Sequence, residues 1–162
     1  MGRKNSDERY ILDLCDSLLG LTSLRQYRFN FLRGDGNRPR MLPVDAYYPS
    51  LNLVIEYHER QHSEPVKLFD NKPTVSGVPR GLQRQIYDQR RAEVLPKNNI
   101  DLLVVSFLDF ETTKSKKLAR NETADCRVLQ KILGKHLQVL GRLTARTPHT
   151  SCRTLACLDG RG

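Results

Sequence analysis

The chain reads, in order, as a helix, three consecutive strands, a helix, a strand and a helix, which predicts an α/β fold: a mixed central sheet of about four strands flanked by helices. Three observations carry this. Tyr27, Phe29 and Phe31 alternate with Arg28 and Asn30, the period of a half-buried strand. Two further apolar segments, 41–48 and 51–57, are joined through Pro49 and Ser50 and read as an antiparallel hairpin. The run DLLVVSF at 101–107 lies between two segments of helical period, so the sheet is interrupted by helices, as in neither a bundle nor a sandwich.

Each element has its own signal. Asn5 or Ser6 can cap a first helix, whose Tyr10, Ile11, Leu14 and Leu18 recur at helical spacing until Gly20 offers a stop. A strand over 26–32 follows, then the turn RGDGNRPR at 33–40, rich in Gly and Pro. The second hairpin strand, LNLVIEY, is apolar enough to lie centrally. Residues 63–83 carry Pro65, Pro73, Pro79, Gly77 and Gly81 among polar residues and read as a long mobile loop. A helix from about Leu82 toward Asn98 places Ile86, Val94 and Leu95 on its apolar side; Pro96 ends or kinks it, and Asn99 is a left-handed stop. The unbroken apolar run at 101–107 predicts a strand buried on both faces. The last helix, about 123–140, carries Val128, Leu129, Ile132, Leu133, Leu137 and Leu140 on one stripe.

With 162 residues, 38% hydrophobic and 28% charged, the chain is too apolar for disorder and too polar for a membrane protein. A single domain is expected over 1–143, with its core at 42–107 and a disordered tail at 144–162. No window approaches the roughly 18 apolar residues of a membrane span, and MGRKNSDERY shows no signal core, so a cytoplasmic protein is expected. The four cysteines are scattered and suggest no disulfide framework. Against 18 Asp and Glu stand 27 Lys and Arg, a net charge of +9, which points to a polyanionic partner, nucleic acid before membrane.

The chemistry concentrates in LPVDAYYPSLNLVIEYHERQH, residues 42–62. Apolar strands seldom carry ionisable groups toward a core, because an unpaired buried charge is costly. Here Asp45 lies in the first hairpin strand, and Glu56 and His58 share one face of the second, with Tyr57 on the other. A tip of about four residues around 49–52 places Asp45 across from Glu56. Two carboxylates so close need positive charge between them, which a hard divalent ion supplies. Taken singly, either could be a solvated strand end; together, with a His two residues beyond Glu56, they read as a metal site.

The pattern Val44-Asp45-Ala46-Tyr47-Tyr48-Pro49, then Leu53-Val54-Ile55-Glu56-Tyr57-His58, His62, Tyr87-Asp88-x-x-Arg91-x-x-x-Leu95 and a strand at 102–107 resembles the core of the PD-(D/E)XK nuclease superfamily, the restriction-endonuclease-like fold. More narrowly, it is similar to nucleases related to the very-short-patch-repair endonuclease, over about residues 42–107. The resemblance implies that Asp45 and Glu56, with the backbone carbonyl of Tyr57, hold Mg2+, for which Mn2+ would substitute. His58 stands where many relatives have Lys, and an imidazole can orient or deprotonate the attacking water. His62 is carried over as a second base or leaving-group acid, or as a loop residue contacting phosphate. Glu8 would be an outer metal or water contact, or simply a helix N-terminal charge. Asp88 and Arg91 would be an intrahelical ion pair, or a brace on the site with Arg91 contacting phosphate. His58-Glu59 departs from the Asp-Gly of many closer relatives.

Basic residues lie on both sides of the proposed site. Arg25, Arg28, Arg33, Arg38 and Arg40 lead into the hairpin, and Arg80, Arg84, Arg90 and Arg91 lie on or beside the later helix. Of these, Arg28, Arg38, Arg40, Arg84 and Arg91 are the expected nucleic-acid contacts, and Lys67 and Lys72 belong to a loop that could clamp substrate. His149, Cys152 and Cys157, with Cys126, fit no standard zinc spacing, so structural zinc is not expected. The expected activity is Mg2+-dependent endonucleolytic hydrolysis of DNA, double-stranded before other forms. An inactive nucleic-acid-binding module and an RNA-directed nuclease are the alternatives, and a homodimer or partner subunit is left open.

Overall fold

A computed structural model describes residues 6–36, 38–59, 79–115 and 117–144. It is a mixed α/β fold: helix α1 (Asp7–Leu19), strands β1 (Leu24–Arg33), β2 (Met41–Tyr48) and β3 (Leu53–His58), helix α2 (Arg80–Lys97), strand β4 (Asp101–Ser106) and helix α3 (Glu122–Thr144). The four strands form one sheet in the order β1-β2-β3-β4, antiparallel except for the parallel pair β3 and β4. A parallel pair needs a long crossover, and α2 lies on that crossover.

Local chemistry explains the boundaries. The Ser6 side chain accepts the Arg9 backbone N–H at 3.2 Å, and Gly20 closes α1 with a left-handed φ of 61°. A single 3-10 turn, Pro49–Leu51, and Asn52 at φ 46° reverse the chain between β2 and β3. Pro96 is accommodated in the last turn of α2, and Asn99 stops the helix at φ 57°. α3 begins one residue before the expected span and runs to Thr144; residues 145–162, where a tail was expected, lie outside the described residues.

Two apolar clusters sit on the two sides of β3. Leu53, Ile55 and Tyr57 pack with Ile11 and Leu12 of α1 and Leu129 and Leu133 of α3, whereas Val54 packs with Phe29, Val44, Leu95 and Ile100. The doubly buried strand is therefore β3, and every residue from Leu53 to Tyr57 is buried. β4, expected to be buried on both faces, is instead an edge strand with Val104 43% exposed. Only Val105 of β4 is fully buried, so an apolar run does not by itself mean that a strand is covered on both faces.

The alternation expected of β1 also fails halfway. Phe29 is buried, but Phe31 is 42% exposed and Leu32 takes its place in the core, because the pairing with β2 shifts register between Arg28 and Arg33. No helix among the described residues is long and apolar enough to cross a membrane.

Candidate active site

The β2–β3 register pairs Tyr48 with Leu53, Tyr47 with Val54 and Ala46 with Ile55, so one step further it sets Asp45 against Glu56. There the strands exchange side chains for backbone partners. The Asp45 N–H donates to Glu56 Oε1 at 3.1 Å, and the Tyr57 N–H donates to Asp45 Oδ2 at 3.0 Å. Each carboxylate thus satisfies a backbone donor on the opposite strand, which locks both groups at the point where the hairpin ladder ends.

Both acids are perturbed. Burial, and then the Asp45 charge, push the Glu56 carboxyl up to about 8, against the pull of Arg91. Burial raises Asp45 as well, opposed by the Tyr57 N–H and by Arg91. Arg91, on α2, is the nearest compensation: its Nε lies 3.5 Å from Glu56 Oε1, its Nη1 3.1 Å from Asp88 Oδ1, and its Nη2 donates to the Pro43 carbonyl at 2.9 Å. It forms the intrahelical ion pair with Asp88 and also contacts Glu56.

A cleft of about 250 Å³ opens over these groups, lined by Glu8, Asp45, Glu56, Tyr57, His58, Arg84 and Arg91 among others. Glu8, Asp45, Glu56, Tyr57, His58, Arg84, Asp88 and Arg91, all singled out from the sequence, therefore line one cleft. Glu8 is half-buried rather than an exposed helix-terminal charge, and burial, then the Asp45 and Glu59 charges, raise its pKa. Arg28, Arg38 and Arg40 do not line the cleft: they lie exposed on β1 and the β1–β2 loop, where an Arg28 Nη1 donates to the Met41 carbonyl. His62, residues 63–78 with Lys67 and Lys72, and His149, Cys152 and Cys157 lie outside the described residues.

Sequence reasoning quoted Tyr87 in the α2 pattern but gave it no role, and it passed over Gln26 altogether. Tyr87 lines the cleft and seats α2 against the β1–β2 loop, where Gly34 approaches it so closely that a Cβ would stand 3.0 Å from the Tyr87 hydroxyl. Gln26 donates to Asp45 Oδ1 at 3.1 Å. A Gln inside an alternating strand carries no motif, and only the register with β2 reveals it.

Among the described residues no three or more His, Cys, Asp and Glu side chains converge as ligands. Asp45 and Glu56 are two carboxylates that could serve Mg2+, which binds through one or two carboxylates and keeps several waters. Comparison of the chain with family models, curated proteins and solved structures found no match in any of the three.

Proposed function

We propose that this protein is a metal-dependent endonuclease that hydrolyses DNA phosphodiester bonds. The observation that carries the proposal is the close pair of half-buried Asp45 and buried Glu56, held at the end of a hairpin ladder and facing an open cleft that also holds His58 and Arg84. Two carboxyls this close are unfavourable when both are ionised, Arg91 compensates only in part, and oxygen donors of this kind suit a hard cation. The likeness of the 42–107 pattern to PD-(D/E)XK nucleases, and an element order with three antiparallel strands and a fourth parallel one, support the same reading.

Asp45, Glu56 and the Tyr57 carbonyl would hold Mg2+, or Mn2+ in its place. The bound ion lowers the pKa of water and stabilises charge on the scissile phosphate. The protein's own groups do the rest. His58, at the end of β3, orients the attacking water or takes its proton. Arg84, in the first turns of α2, brings positive charge to the phosphate, while Arg91 keeps Glu56 seated. Arg28, Arg38 and Arg40 lie away from the cleft and would meet more distant phosphates of a double-stranded substrate. A cytoplasmic location belongs to this proposal, since the substrate is nucleic acid.

Incubation of supercoiled plasmid with the protein and Mg2+ tests the proposal. The wild type should relax or linearise the plasmid, and Asp45→Ala and Glu56→Ala should each slow this by about 100-fold or more. Cleavage that survives both substitutions would overturn the site. Binding without cleavage in Mg2+ or Mn2+ would show an inactive binding module, for which His58 in place of the superfamily Lys is the motivating feature. Cleavage of RNA alone would reassign the substrate.

A further inference from the structure

Gln26 occupies β1 between Arg25, paired with Ala46, and Tyr27, paired with Val44, so it stands beside Asp45 in the sheet. Its backbone is unusual there. At φ 51° it is in the left-handed region, which side chains larger than Gly or Asn seldom adopt and which an extended strand does not require. Of the other non-glycine residues with positive φ among those described, Asn52 and Asn99 end helical turns and Arg120 lies in a loop. Gln26 is also exposed, so core packing does not explain the choice.

Its side chain does. The Nε2 amide donates to Asp45 Oδ1 at 3.1 Å and to Glu8 Oε1 at 3.4 Å. An amide has two N–H hydrogens, and both are spent on carboxylates. With the Tyr57 N–H on Asp45 Oδ2, both oxygens of Asp45 are then fixed. Glu8 lines two clefts: that of Asp45, and a second of about 460 Å³ lined also by Arg9 and Arg25. Without a tether its carboxylate could turn toward those two guanidinium groups; the Gln26 amide commits it to the Asp45 side.

We propose that Gln26 is a positioning residue that ties Glu8 of α1 to Asp45 of the hairpin and so presets Asp45 as a ligand of a divalent cation, with Glu8 as an outer contact, a role that rests on the metal-site reading above. The strained backbone is the means of aiming the amide between two acids carried by different elements.

Two variants separate positioning from folding. Gln26→Gly and Gln26→Asn both suit a left-handed φ, but neither reaches both carboxylates. Melting temperatures in EDTA should be equal to or above that of the wild type, while Mn2+ affinity measured by calorimetry falls about tenfold or more, as for other residues that orient metal ligands. Independently, in the intact Gln26 protein the side-chain amide NMR resonance of Gln26 should move on Asp45→Asn and on Glu8→Gln. Variants that bind Mn2+ as tightly as the wild type would overturn the role of Gln26 alone, as would an amide resonance indifferent to both acids. A wild type that binds no Mn2+ would instead overturn the metal-site reading itself. Should the variants fail to fold, the resonance measurement still decides whether the bridge exists.

Discussion

Asp45 and Glu56 each give an oxygen to the other strand's backbone, and this exchange makes their protonation a matter of stability as well as chemistry. A carboxyl whose pKa is raised in the folded state binds its proton more tightly folded than unfolded. The contribution of Glu56 is therefore fully present below its ordinary value of 4.5 and is lost as pH rises through about 8. In EDTA, the melting temperature should fall between pH 5 and pH 8, and Glu56→Gln should flatten that slope; a slope unchanged by the substitution would show that burial and the Asp45 charge do not raise the Glu56 carboxyl. Arg91 is the counterweight, with only 13% of its side chain exposed and contacts to Glu56, Asp88 and the Pro43 carbonyl. Its replacement by Met leaves Glu56 and Asp88 with less compensation and should cost about 3 kcal/mol in urea denaturation. At this scale the sequence was informative wherever spacing carried chemistry: ten residues between Asp45 and Glu56 were enough to bring them together. It was silent on Gln26, because neither a left-handed φ nor a cross-strand neighbour leaves a mark in composition.

The elements matter chiefly through how they seat the cleft. α2 supplies Arg84, Tyr87 and Arg91, and it is fastened to the β1–β2 loop by Arg90, which bonds the Arg33 carbonyl at 2.8 Å and Asp35 at 2.6 Å. Gly34 lies beneath Tyr87, and a methyl group there would also stand 3.3 Å from Leu42. Gly34→Ala should therefore destabilise the fold by about 1–2 kcal/mol through overpacking. It should also reduce activity by shifting Tyr87, whereas Gly134→Ala, in α3 with open space around it, should do neither; thermal melts and plasmid cleavage compare the two. α1 is held from the other side: Arg25 bonds Asp13 and Asp16, and the Tyr48 hydroxyl donates to Asp16 at 2.6 Å. Element types and order were legible because periodicity reports them directly. The edge position of β4 and the register shift in β1 were not, since both depend on which neighbour a strand meets rather than on its own pattern.

For the whole molecule, the net charge of +9 takes on a division of labour. Arg84 and Arg91 lie at the cleft, while Arg28, Arg38 and Arg40 are displayed on β1 and its loop. If five or six cations neutralise phosphates, duplex affinity should drop about a thousandfold between 50 and 200 mM salt. Joint Arg38→Ala and Arg40→Ala substitution should lower the logarithmic salt slope by about two, as read by fluorescence anisotropy. The overall architecture was largely readable, because seven segments of clear period admit few arrangements; the place of Glu8 beside the hairpin came only from the resemblance, because period and spacing do not say how α1 lies across the sheet. The proposed function requires Asp45 and Glu56 to share one divalent ion. Anomalous scattering at the manganese edge from crystals equilibrated with Mn2+ tests it most directly. One peak bound by both carboxylates and lost in Asp45→Ala is expected; saturating Mn2+ with no peak between them would overturn the shared site.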